Sequence, residues 1–226
     1  RIAALDNNGT LKVKEGAYNT DWSITDTGVS DFQLEGKKLG IIQGGKLKIK
    51  EGALNSYWDL VAENVKSFKM KGNIICVLYN DDTLRVFEKN GSAYTQLMWE
   101  SNISHFDIEG RRIGRIRKNG TVSNTAVIDY PYTIYDYTQL HKPYARSIWM
   151  KGSNIQVISD KYDNEVVPFA YFLYYGGNTD TDIFTKDNVK AHSCTLNRIM
   201  LATNDNKLHI YKDFVETEFN LSPKAV

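Results

Sequence analysis

Short runs of alternating apolar and polar residues recur along the chain. Leu11-Lys12-Val13-Lys14, Leu47-Lys48-Ile49-Lys50, Leu84-Arg85-Val86 and Leu208-His209-Ile210 each put apolar side chains on one face and basic ones on the other. A period of two predicts half-exposed β-strands. Upstream of these runs, Ile2 with Ala4 and Leu39 with Ile41 alternate toward one face as well. Asn8-Gly9, Gly44-Gly45, Asp81-Asp82 and Asn119-Gly120 separate the paired runs. Such dipeptides tolerate the positive φ of tight hairpin turns. No stretch sustains a helical period, so the pattern predicts an all-β chain.

The pattern repeats at longer range. Residues 11–22 read LKVKEGAYNTDW and residues 47–58 read LKIKEGALNSYW, an offset of 36. Residues 29–36, VSDFQLEG, and 65–72, VKSFKMKG, share that offset, and 103–110, ISHFDIEG, and 145–152, ARSIWMKG, continue the series. Units begin at residues 1, 37, 73, 111, 153 and 198, with spacings of 36, 36, 38, 42 and 45. The copies are closest in units one to three, and unit five fits only with an insertion. Each unit reads as four short strands, with the F-x-L stretch supplying the fourth. Six such units of about 36–45 residues predict a single β-propeller domain over residues 1–226, most simply six-bladed. A five-bladed ring in another register is the alternative, and a flat solenoid a further one.

Charge changes the picture by subtraction. Twenty-eight Lys and Arg balance 27 Asp and Glu. No strong field draws in nucleic acid or an anionic membrane. The longest apolar runs, such as residues 74–79, are far too short to span a bilayer. Cys76 and Cys194 alone cannot build a disulfide framework or a cysteine-rich zinc site. His105, His141, His192 and His209 match no metal motif in their spacing, and no phosphate loop or nucleophile elbow is present. Residues 178–182, NTDTD, lack the full pattern of a calcium loop. The expectation is a binding protein without cofactor or metal, not an enzyme.

The repeated residues resemble a known family. The succession in RIAALDNNGTLKVKEGAYNTDW, KKLGIIQGGKLKIKEGALNSYW and VSDFQLEG is similar to the propeller repeats of secreted bacterial proteins. More loosely it resembles the tachylectin and tectonin lectins, whose blades also pair a turn-strand with a Trp. The resemblance implies an F-x-L strand innermost in each blade, an extracellular location, and shallow sugar sites on or between blades. It also implies that the chain could be the receptor-binding part of a secreted, toxin-associated protein. Units four and five lack the K-E-G and depart from the pattern.

The candidate ligand residues follow from the repeat. Trp22 and Trp58 occupy one repeat position, and Phe219 takes that place in unit six. Sugar C–H faces stack on aromatic rings, although large aromatics also fill the space between blades. Asn19 and Asn55 recur three residues before the Trp, and Glu15 and Glu51 recur in K-E-G. Their amides and carboxylates suit vicinal hydroxyls, and turn chemistry or pairing with Lys14 and Lys50 is the competing reading. Several weak sites would gain by multivalency. The leading expectation is therefore a lectin-like module binding glycans. The alternative is a protein-interaction scaffold using the Tyr-rich residues 129–137 and 171–175. A last expectation concerns the sixth unit. Val226 lies where another F-x-L strand should start, so that strand, pairing with residues 2–5, would come from a longer parent chain, a neighbouring protomer or a partner protein.

Overall fold

The computed structural model describes residues 1–17, 19–120, 122–127, 134–140, 145–151, 154–159, 170–174, 182–186, 188–194, 198–212 and 215–220. Twenty-three strands among the described residues form six antiparallel sheets. The first sheet holds β1 (Ile2–Leu5), β2 (Leu11–Lys14) and β3 (Ser23–Asp26). The second holds β4 (Val29–Glu35), β5 (Lys38–Gln43), β6 (Lys46–Glu51) and β7 (Asp59–Glu63). The third holds β8 (Val65–Lys71), β9 (Ile74–Tyr79), β10 (Leu84–Asn90) and β11 (Ala93–Glu100). The fourth holds β12 (Ile103–Glu109), β13 (Arg112–Arg117), β14 (Val122–Val127) and β15 (Ile134–Leu140). The fifth holds β16 (Ala145–Lys151), β17 (Asn154–Ser159), β18 (Ala170–Tyr174) and β19 (Asp182–Lys186). The sixth holds β20 (Val189–Cys194), β21 (Arg198–Thr203), β22 (Lys207–Lys212) and β23 (Val215–Asn220). Within each sheet the strands pair in chain order.

The F-x-L stretch opens each four-stranded sheet, so a sheet begins one strand before the sequence unit. The sheets start at residues 29, 65, 103, 145 and 189. The first sheet lacks this strand, and β1 pairs with β2 alone among the described residues. Residues 221–226, where a further F-x-L strand was expected to begin, lie outside the described residues.

The turns form where the sequence placed them. Gly44 and Gly45 take φ of 56° and 73° between β5 and β6, the double positive φ that a tight two-residue hairpin needs. The chain divides into two compact units, residues 1–102 and 103–226, each with three sheets. In the first unit, Leu11, Val13, Leu39 and Ile41 are fully buried, as are Leu47, Ile49, Ile75 and Val77. Trp58 and Phe32 pack on the first of these clusters, and Phe68 and Met70 belong to the second.

Neighbouring sheets are joined by two recurring devices. A Cβ at Gly40 would lie 2.5 Å from Phe68 of the next sheet, and one at Gly114 would lie 2.6 Å from Ile148. Only a bare backbone admits that approach. Gln33 then hydrogen-bonds both ways with the Met70 backbone, its amide donating to the carbonyl at 2.8 Å and its oxygen accepting from the N–H at 2.6 Å. In the second unit Asp107 accepts from the Met150 N–H at 2.6 Å. Gln33 and Asp107 occupy the same repeat position. Each satisfies a backbone group that would otherwise be stranded between sheets.

Candidate binding surface

The K-E-G loops joining β2 to β3 and β6 to β7 share a pair of hydrogen bonds. The Thr20 hydroxyl lies 3.0 Å from the Glu15 carbonyl and 2.8 Å from that of Ala17. Ser56 makes the same contacts to Glu51 and Ala53, at 3.2 and 2.6 Å. The repeat of Thr or Ser at this place is therefore turn chemistry. It leaves Asn19 and Asn55 exposed near the loop tips.

The other candidates divide. Trp58 packs on the cluster of Leu11, Val13 and Leu39, and the Lys50 ammonium caps its ring at 4.3 Å. Lys50 is buried, donates to the Leu54 carbonyl at 2.6 Å, and has its pKa pushed down by burial. Trp22, with Lys14 at 5.8 Å, keeps 44% of its surface exposed. Glu15 pairs with Arg1 at 3.1 Å, and Glu51 with Lys89 of the next sheet at 3.3 Å. Lys89 also lies 3.7 Å from Asp59, whose carboxylate accepts from the Tyr94 hydroxyl. Burial and that carboxylate push the Tyr94 phenol up to about 12. An open cleft lined by Arg1, Glu15, Lys37, Leu54 and Asn55 brings two candidates together, one from each loop.

Phe219 stands elsewhere. It pairs with Leu208, whereas Leu47, the equivalent of Leu208, pairs with Ala62. Only residues 213 and 214 separate β22 from β23, whereas residues 52–58 separate β6 from β7, and the bulge between Leu47 and Lys48 adds one more step. Counting along the sequence therefore misplaces Phe219, and Glu216, opposite Tyr211, holds the Trp58 register instead. The Tyr-rich residues 129–137 and 171–175 and the run 178–182 fall outside the described residues, in whole or in their side chains. Cys76 is buried on β9.

Strand pairing reveals a feature that the sequence conceals. Lys12, Lys48 and Arg85 occupy one register on β2, β6 and β10. Opposite them on the outer strands stand Ile24, Leu60 and Trp99. These three are exposed by 66%, 54% and 64%. Directly opposed residues share a face of the sheet, so each sheet of the first unit presents a large apolar side chain beside a cation. The three differ in type, and the third sheet has no K-E-G to set the spacing, which hides the row from motif matching.

Solved structures share this architecture. Hsv2 of Kluyveromyces marxianus superposes with a TM-score of 0.69 at 10% identity, covering 96% of this chain and 76% of that one. The computationally designed Ika8 protein gives 0.64 at 13%, covering 96% and 70%. The AfRom2 CNH domain gives 0.58 at 10%, covering 96% and 82%. Hsv2 and the CNH domain are β-propellers, and this chain has the β-propeller fold. No protein-family model and no curated protein matches the sequence.

Proposed function

We propose that this propeller is a non-enzymatic binding module whose first unit docks a partner protein through the row Ile24, Leu60 and Trp99. The recurrence of a solvated apolar side chain at one register of three successive sheets supports this reading. Single exposed apolar residues are ordinary, but a repeated row with an aromatic member is the composition of an interface. The adjacent Lys12, Lys48 and Arg85 select a partner that brings carboxylates beside its apolar side chains. The test is recovery of a partner by the native chain and by Leu60→Asp and Trp99→Asp variants of unchanged melting temperature. A partner retained by both variants overturns the reading.

A second reading is glycan binding at the K-E-G loops, which goes with an extracellular location. It is supported by the matching hydrogen bonds of the two loops and by the exposure of Trp22, Asn19 and Asn55. A broad glycan array with folded protein tests it. No binding above background would remove it. Binding that Trp22→Ala abolishes and Trp99→Asp leaves intact would put it ahead of protein docking.

A further inference from the structure

The sixth sheet keeps the repeat's backbone and changes three of its side chains together. At the register of Lys12, Lys48 and Arg85 it has His209. At the register of Ile24, Leu60 and Trp99 it has Glu218, and where Trp58 stands in the second sheet it has Glu216. Residues two apart on a strand share a face. Glu216 and Glu218 therefore stand on the face that carries His209.

The geometry of the three is compact. The His209 ring is buried, and its Nδ1 lies 2.5 Å from Glu216 Oε1 and 3.7 Å from Glu218 Oε2. One ligand atom from each residue falls within 4.8 Å of the others. The carboxylates themselves reach solvent, their side chains 39% and 44% exposed, so the imidazole forms a floor beneath an open mouth.

Neighbouring groups orient the set. The Thr203 hydroxyl faces the Lys207 carbonyl at 3.3 Å and His209 Nε2 at 3.3 Å. With its proton given to the carbonyl, that hydroxyl accepts from Nε2–H. That contact holds the ring with Nδ1 toward the carboxylates. Lys207 binds Glu218 Oε1 at 2.9 Å and leaves Oε2 turned toward the ring. An outer partner on the far ring nitrogen and another on a carboxylate are the usual supports of metal ligands.

We propose that His209, Glu216 and Glu218 bind one divalent transition-metal ion of the zinc type. One imidazole nitrogen and two carboxylate oxygens are ligands that zinc takes, with water completing four-coordination. The nitrogen disfavours magnesium and calcium, which take oxygen. Ligand bonds of about 2.0–2.2 Å put ligand atoms roughly 3.4 Å apart. The 3.7 Å separation already suits that, and the 2.5 Å one opens by a small rotation of the exposed Glu216. The ion would staple β22 to β23 at the outer margin of the sheet.

The test is titration of the chelator-treated full chain with Zn²⁺ by calorimetry, with Mg²⁺ as the control. Co²⁺ absorption serves as a second readout of coordination. Glu216→Gln and Glu218→Gln preserve size and hydrogen bonding and leave the buried ring in place. The expected result is one Zn²⁺ per chain, no response to Mg²⁺, and at least a roughly tenfold loss of affinity in each variant. An absence of stoichiometric Zn²⁺ binding, or a loss below tenfold in either variant, overturns the site and leaves the three residues as an ion-pair cluster.

Discussion

Gly40 and Gly114 hold their places because the next sheet comes too close for a side chain. Gly40→Ala sets a methyl 2.5 Å from the Phe68 ring and 3.0 Å from Met70, so the ring or the sheet that carries it must shift. The expected cost is about 1–3 kcal/mol, the range for overpacking a filled core, read as a lower melting temperature. The two tryptophans differ for the opposite reason. Trp58 packs on buried aliphatic side chains while Trp22 remains 44% exposed. Trp58→Ala should cost about 2–3 kcal/mol, below the fully buried range because the ring is only partly covered, and Trp22→Ala less than half of that. Equal losses in thermal or urea unfolding would contradict the assignment of Trp58 to packing. Tyr94 gives a pH signature. Its pKa is raised from 10 to about 12 by burial and by the Asp59 carboxylate, so folding favours the protonated phenol. That contribution is complete below about pH 10 and is lost as pH rises toward 12. Tyr94→Phe should therefore flatten the decline in stability between about pH 10 and 12. A decline as steep as the native chain's would show that Tyr94 does not contribute to it.

At the scale of the element, β1 offers a test of how the first sheet is completed. Its hydrogen-bonding edge away from β2 has no partner strand among the described residues, whereas the corresponding β5, β9, β13, β17 and β21 each pair with an F-x-L strand or its equivalent. Unpaired edges accept added strands. The register in the second sheet sets Leu34 opposite Leu39 and Phe32 opposite Ile41, which correspond to Ile2 and Ala4 in the first. A peptide copying residues 29–36 should therefore raise the melting temperature of the chain, and a scrambled peptide of equal composition should not. Identical behaviour of the two peptides would mean that β1 takes no strand of this pattern.

At the scale of the whole molecule, the period of the sequence carried most of the fold. The alternation in LKVK and LKIK, the Gly and Asn turns and the F-x-L stretches all reappear as strands and hairpins, because each is fixed by local sterics and one-sided burial. The sheet boundary was less legible, since a sequence unit starts equally well at any strand. Phe219 was misplaced because the connection from β22 to β23 is shorter than that from β6 to β7, which separates residue count from register. The row of Ile24, Leu60 and Trp99 was missed because its members share a neighbour across the sheet and no common type. The cluster at His209 was missed because Glu216 and Glu218 come from the neighbouring strand, and strand pairing rather than sequence spacing brings them to the ring. One property of the topology bears on how the molecule is made. Among the described residues every strand bonds only to the strand before or after it in the chain. Each of the five four-stranded sheets therefore has all its strands once the last of them has left the ribosome, without waiting for distant sequence. Such short-range closure is inexpensive in chain entropy and fast for a β-protein. The expected order of folding is that of synthesis, with the early sheets protected from proteolysis on stalled nascent chains before the later ones exist.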